Sequence, residues 1–211
     1  MYSWKTVLIT IGVFVGLKIW SPYLVENIKW SYFDVLHQSQ EKVQVEDIVL
    51  VDIDEKSLEV FGQYPIKRSI YRDIMLDTSY TNTHVFTQLF NQPDRNQGED
   101  EIFAEGLVNR LTILSAAPTI QKNTGSAPFV GNSTFGSGKA TDYLWNFSGI
   151  SSPIRILQDN TYGVGVTVAT PSVSGTPNFD GTTRSIPLII TANEQVYPSL
   201  ALETLRALKD Q

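Results

Sequence analysis

The sequence of 211 residues contains no cysteine and only two histidines. Without cysteine the chain forms no disulfide, no thiolate metal site and no thiol nucleophile. Charged residues make up only 18% of the chain, against about 25% in an average soluble protein. The net charge of −6 argues against a nucleic-acid partner, because phosphates would be repelled over most of the surface. His37 and His84 lie in no catalytic motif, and no Gly-x-Ser-x-Gly sequence is present, so a serine triad is not expected.

The sequence also lacks a complete nucleotide-binding motif. Residues 136–140 resemble the end of a phosphate-binding loop, but Ser133 stands where the first glycine is needed and Ala140 cannot bind magnesium. We therefore predict no cofactor.

The one long apolar segment lies at the N-terminus. Residues 7–17 contain no charge, and after Lys18 apolar residues continue to Val25. A membrane-crossing helix needs about 20 mostly apolar residues, and Trp4 and Trp20 resemble aromatic interface anchors. We predict a single transmembrane helix within residues 1–25, which contacts the membrane through residues 7–25. The alternative is a buried N-terminal helix of a soluble protein.

The predicted orientation places the N-terminus in the cytoplasm and the C-terminal domain outside the cell, because Lys5 precedes the apolar segment. Residues 26–46 are then a juxtamembrane helix and linker. Residues 47–211 form the extracytoplasmic domain.

Helix and strand patterns alternate after residue 47. Residues 47–53 form a short β-branched run that predicts a buried first strand. The following segments predict a short helix at residues 55–61, ended by Gly62, and a helix at 69–76, capped by Ser69. A second strand at 85–90, a helix at 99–108 and a third strand at 111–115 are predicted to follow. The first two strands and their helices would form a right-handed βαβ unit.

The C-terminal third predicts a hairpin and a last helix. Residues 162–168 and 183–191 would pair as strands around Asp180-Gly181, and Pro198-Ser199 would open a helix that packs on the sheet. The predicted fold class is α/β: a single three-layer domain with a mixed, partly parallel sheet, preceded by the transmembrane helix.

The first predicted strand ends in carboxylates, which allows two interpretations. If Asp52 and Asp54 point to the same face of a strand, they could bind magnesium, as paired carboxylates do in phosphoryl-transfer enzymes. Lys56 stands where a phosphoaspartyl hydrolase has threonine or valine. We favour the other interpretation, in which Asp54 caps the next helix and Glu55 lies in its first turn.

Two blocks of the sequence resemble the CHASE2 domain, an extracytoplasmic sensor of bacterial receptor kinases and adenylate or diguanylate cyclases. Residues 48–58 read IVLVDIDEKSL and lead to Phe-Gly and Tyr-Pro-Ile-Lys-Arg; residues 178–188 read NFDGTTRSIPL and lead to VYPSLAL at 196–202. Thr87 departs from the family pattern, in which aspartate is common at this position. The residues that carry the resemblance are Glu55, Ser57, Gly62, Pro65, Asp180, Gly181, Arg184, Pro187, Pro198 and Ser199.

The resemblance implies a membrane-anchored sensor that binds an unknown small-molecule or environmental cue and catalyses no reaction. From the helix-cap interpretation of the aspartates we also predict no metal. The resemblance also implies a homodimer and a cytoplasmic kinase or cyclase module, which these 211 residues do not include. We place the ligand site, as a hypothesis, at a rim formed by Asp52, Asp54, Arg68 and the loop after Phe90. An equally weighted interpretation makes Arg68 and Arg184 salt-bridge partners of acidic turns. The other functions left open are a membrane-anchored metal-dependent hydrolase and a structural interaction module.

Overall fold

A computed structural model describes residues 3–41, 45, 47–120, 144–168, 186–193 and 195–210. The chain divides into two compact units, Met1–Asp52 and Ile53–Gln211.

The described residues of the first unit form two helices, α1 (Trp4–Trp20) and α2 (Pro22–Ser39). The Ser3 side chain caps α1 by accepting a hydrogen bond from the Lys5 amide. Ser21 separates the helices, and proline suits the start of α2 because the first turn of a helix leaves its amides unpaired.

The predicted transmembrane helix within residues 7–25 is wrong. In the part of the chain that the structure describes, no helix is both long enough and apolar enough to cross a membrane. Helix α1 has 17 residues, and at about 1.5 Å per residue it is about 26 Å long, against a hydrocarbon core of about 30 Å. The chain does not continue α1 further, because α2 begins at Pro22, whose nitrogen cannot donate to a preceding turn.

The second unit alternates helices and strands. In chain order its elements are α3 (Glu55–Phe61), α4 (Arg68–Asp77), β1 (His84–Leu89), α5 (Glu99–Leu107), β2 (Thr112–Thr119), β3 (Asn146–Phe147), β4 (Gly149–Ser151), α6 (Arg155–Gln158), β5 (Gly163–Val166), β6 (Ile189–Ala192), β7 (Gln195–Pro198) and α7 (Leu200–Lys209). The predicted helices at 55–61, 69–76, 99–108 and after Ser199 are confirmed, as are the predicted strands at 85–90, 111–115 and 162–168.

The strands of the described residues form two sheets rather than the one predicted. In the first, β2 pairs in parallel with β1 and β5, and antiparallel with β4. In the second, β6 pairs in parallel with β3 and antiparallel with β7. The predicted hairpin between 162–168 and 183–191 is therefore wrong: β5 pairs with β2 instead, and Asn193, at φ 50°, lies in the turn from β6 to β7.

The segment at 47–53 is not a strand, so the predicted first βαβ unit is also wrong. Four of its apolar side chains are between 65% and 92% exposed: Ile48, Val49, Leu50 and Val51. A β-branched run forms a strand only where its backbone pairs with another strand, and in the described ranges β1 pairs with β2 alone. The parallel pair joined by a helix is β1–α5–β2.

Helices cover both faces of the first sheet. Leu114 of β2 packs with Tyr71, Phe90 and Phe103 in a cluster beneath α4 and α5. The neighbouring Ile113 points to the other face, because side chains alternate along a strand, and packs with Ala207 of α7. A third cluster joins the two sheets through buried residues of β2, β4, β5, β6 and β7. The three-layer α/β arrangement is thus present around the first sheet.

Candidate functional site

Asp54 caps α3, as the favoured interpretation predicted. One oxygen of its carboxylate accepts hydrogen bonds from the Ser57 amide at 2.9 Å and the Ser57 hydroxyl at 2.8 Å. These bonds hold the pKa of Asp54 below its usual value. Asp52 is exposed and makes no hydrogen bond or ion pair with another described residue. Because this segment is not a strand, the two aspartates do not share a strand face, which was the condition of the magnesium interpretation.

Arg68 is buried at the start of α4, with 6% of its surface exposed. Its Nε lies 2.5 Å from Oδ1 of Asp100 and 3.9 Å from Oδ2 of Asp94. Its Nη2 donates to the backbone oxygen of Gln92, and the guanidinium lies 4.9 Å from the ring centre of Phe90. Burial lowers the pKa of Arg68, and Asp100 and Asp94 oppose that shift. The structure therefore confirms Arg68 as the partner of an acidic turn.

The loop after Phe90 is fixed to the first turn of α5. The Asp94 amide donates to the carboxylate of Asp100 at 3.1 and 3.2 Å, and Asp94 in turn accepts from the Asn96 amide at 2.8 Å. The predicted cap by the Ser69 side chain is wrong: Lys67 precedes α4 without a side-chain cap. The Ser69 amide instead donates to Glu99 at 2.7 Å, so the first turns of α4 and α5 are joined twice.

Three buried polar atoms at this place lack hydrogen-bond partners among the described residues: Nε and Nη1 of Arg68 and the hydroxyl oxygen of Tyr71. Nε of Arg68 faces Asp100 as an ion pair without an aligned hydrogen bond. Burial raises the pKa of Tyr71 to about 12, and the nearby Gln88 side chain opposes that shift. The neighbouring Gln88 directs its amide to the hydroxyl of Tyr64. A buried donor left without a partner costs about 1–3 kcal/mol, which a ligand with a suitable acceptor would recover.

We call this group the Arg68 rim and define it by Arg68, Tyr71, Gln92, Asp94 and Asp100. It lies beyond the C-terminal end of β1, where ligands bind in many open α/β sheets. Sequence reasoning identified Arg68 and the loop after Phe90. It missed Tyr71, because nothing in an amphipathic helix shows that one tyrosine hydroxyl will be buried without a partner.

The other residues that carry the family resemblance occupy ends and turns. Glu55 begins α3, Ser57 pairs with Asp54, and Gly62, at φ 93°, ends the helix. The Tyr64–Pro65 peptide is cis. Pro187 lies just before β6, Pro198 ends β7, and the side chain of Ser199 caps α7 by accepting from the Leu202 amide at 3.2 Å. Asp180, Gly181 and Arg184 lie outside the described residues.

The carboxylates of the described segments do not gather into a metal site. No group of three or more histidine, aspartate or glutamate side chains placed to hold a metal ion occurs there. Asp54 is engaged in its helix cap, and the carboxylates of the Arg68 rim surround an arginine, which already occupies the position of a cation.

The described part of the second unit is a layered α/β domain with a polar rim at a strand end, the place where ligands bind in many open α/β sheets. A comparison with protein families matches the CHASE2 domain over residues 6–211, nearly the whole chain. The chain belongs to the CHASE2 family, as its sequence motifs predicted. CHASE2 domains are extracytoplasmic sensor domains and are not catalytic by themselves. No curated protein and no solved structure matches the chain.

Proposed function

We propose that this chain binds an extracytoplasmic cue and transmits the change caused by binding to a signalling output module. The observation that carries the proposal is the family match over residues 6–211. A kinase or cyclase as the output module, and a homodimer as the working form, are parts of the proposal that rest on the family alone.

The Arg68 rim is the proposed cue site. Nη1 of Arg68 and the hydroxyl of Tyr71 are buried donors without partners in the described residues, and they belong to consecutive turns of α4. A ligand that accepts hydrogen bonds from both would relieve the cost of burying them. Asp54 is not part of this proposed site, because its carboxylate is engaged by Ser57.

The ion pair between Arg68 and Asp100 provides a route for the response. It joins the first turn of α4 to the first turn of α5, and the Arg68 contact with Gln92 ties in the loop between β1 and α5. A cue shifts a protein between two states only by binding one state better than the other. A ligand that draws Arg68 away from Asp100 would favour a state in which the two helix starts move apart.

The test is a binding screen with a matched pair of variants. The full chain, its R68K variant and its R72K variant are screened by thermal shift against small carboxylates, amides and sugars, all of which offer oxygen acceptors. Arg72 lies one turn along α4 and pairs with the adjacent Asp73, so R72K controls for loss of a guanidinium. We expect a compound that stabilises the wild type and R72K and binds R68K at least about tenfold more weakly, because lysine cannot reproduce the planar guanidinium contacts. A compound that binds the wild type, R68K and R72K equally would show that its binding site is not the Arg68 rim.

A further inference from the structure

A cavity of about 470 Å³ lies at the edge of the first sheet opposite the Arg68 rim. It is formed by the turn between α5 and β2 and the turn between α6 and β5, and so lies at the N-terminal ends of two parallel strands. Its volume is in the range of about 300–1,000 Å³ that small-molecule sites occupy. The lining residues that carry the argument are Val108, Arg110, Asp159, Asn160, Thr161 and Tyr162.

Arg110 is the one lining cation, and its charge is not balanced by the described residues. The guanidinium is half-buried and makes no hydrogen bond or ion pair with any of them. The lining carboxylate, Asp159, is paired with Arg155 at 3.1 Å instead. The Asn160 amide donates to a backbone oxygen of α6 and the Thr161 hydroxyl to a backbone oxygen of β2. The guanidinium of Arg110 therefore has no partner among the described residues, whereas the polar side chains of Asp159, Asn160 and Thr161 are already paired or hydrogen-bonded.

The cavity also has apolar surface beside that charge. Val108 is 45% exposed and Tyr162 is 39% exposed. Arg206 lies 5.7 Å from the ring centre of Tyr162, but Glu203 and Asp210 already neutralise it, so it adds no free charge. A ligand body placed against Val108 and Tyr162 would remove this apolar surface from water.

We propose that this cavity binds a small organic monocarboxylate. The carboxylate would pair with the guanidinium of Arg110, and the apolar body of the ligand would cover Val108 and Tyr162. A single negative charge matches the single unbalanced cation, and the flat guanidinium suits a carboxylate because both can form two parallel hydrogen bonds. The site is separate from the Arg68 rim and does not depend on the cue that binds there.

The test uses benzoate as the probe, with two control compounds. Benzamide has the same ring without the charge, and acetate has the charge without the ring. Binding to the full wild-type chain is measured by isothermal titration and by NMR shift changes. We expect saturable binding of benzoate, weaker binding of acetate and the weakest binding of benzamide. Absence of saturable benzoate binding up to about 10 mM, or equal binding of benzamide, would overturn the proposal.

Variants then test the assigned residue. R110Q should weaken benzoate binding by about tenfold or more, because it removes hydrogen bonds to a charged group. R95Q removes the same charge from an exposed loop outside the cavity and should bind benzoate like the wild type. R110K keeps the charge and should show a loss of benzoate affinity smaller than that of R110Q. It therefore provides a second test of the assignment if R110Q does not fold. Unchanged affinity in R110Q or R110K would refute the assignment.

A further variant separates this proposal from the proposed cue site. R68K changes the Arg68 rim and should leave benzoate affinity unchanged. If R68K weakens benzoate binding as strongly as R110Q does, the probe occupies the Arg68 rim and the cavity proposal fails while the cue site gains support.

Discussion

Gly163 of β5 packs directly against the buried carboxylate of Glu203 on α7. A Cβ atom at residue 163 would overlap Oε1 of Glu203, so only glycine fits beside that side chain. Glu203 is fully buried, and its oxygens accept hydrogen bonds from Arg206 at 2.6 and 2.9 Å. The buried charge is thereby paired within α7 itself.

This contact predicts a strongly coupled pair of substitutions. G163A should destabilise the protein by about 1–3 kcal/mol through overpacking. E203A should cost about 2–3 kcal/mol, below the usual value for a broken buried pair, because the Arg206 left behind is 45% exposed. The double variant should lose at least about 1 kcal/mol less than the sum, because truncating the Glu203 side chain leaves room for the new methyl group.

Chemical denaturation measures these three free energies of unfolding. G165A provides the control, because a Cβ atom there would meet backbone atoms of Ser199 and Leu200, which cannot rotate away. E203A should therefore not rescue G165A. Additive costs for residues 163 and 203 would show that their contact is not what limits residue 163 to glycine.

The Arg68 rim predicts unequal effects of two arginine substitutions on one helix. R68M should lower the free energy of unfolding by about 3–5 kcal/mol, because it leaves the mostly buried carboxylates of Asp94 and Asp100 without their cation. R72M should cost less than about 1 kcal/mol, since the Arg72–Asp73 pair is exposed to solvent. Urea denaturation compares the two variants. Equal losses would mean that the ion pairs of Arg68 contribute no more than a surface pair.

The cap at Asp54 predicts a pH-dependent difference between two variants. D54A should lower Tm by about 2–4 °C, whereas D52A should change it little, because Asp52 makes no hydrogen bond or ion pair with a described residue. The pKa of Asp54 is lowered from 3.8 by its bonds to Ser57, so its contribution is complete above that pH and is lost as pH falls through the lower folded value. The Tm difference between wild type and D54A should accordingly shrink as the pH falls below about 4. A difference that does not shrink as the pH falls would contradict this assignment.

The charge of Arg110 also leads to a prediction about the pKa of a nearby histidine, His84. Burial lowers the pKa of His84, and the positive charge of Arg110 lowers it further. R110Q should therefore raise the pKa of His84, and R95Q should leave it unchanged. Because the folded pKa lies below the usual 6.5, His84 destabilises the fold as pH falls below that value, and R110Q should reduce this loss. NMR titration of the imidazole measures the shift, and an unchanged or lower value in R110Q would show that Arg110 does not act on His84.

Local sequence patterns predicted much of the second unit. The helices at α5 and α7 and the strands at β1, β2 and β5 were found because apolar spacing, an acidic first turn and a serine cap act over a few neighbouring residues. The same reasoning failed at 47–53, where a strand pattern is present but no described strand pairs with it. It also failed at residues 7–25, because an apolar composition does not show where a helix ends.

The ion pairs of the site were only partly predictable. An acidic turn and a nearby arginine suggested that Arg68 would pair with a carboxylate, and this is what the structure shows for Asp100. Nothing in the sequence showed that the buried guanidinium would keep an unpaired Nη1, or that Arg110 would line a cavity without a described carboxylate paired to it.

The sequence by itself determined the family, most helices of the second unit and the cap residues Asp54 and Ser199. These depend on motifs and on hydrogen bonds that span three or four residues. Only the tertiary structure decided that Arg68 contacts Gln92, 24 positions away, that Gly163 faces Glu203, and that the described strands divide into two sheets. The reason is physical: a pairing between distant residues depends on which strands become neighbours, and that is settled by packing of the whole core rather than by any local pattern.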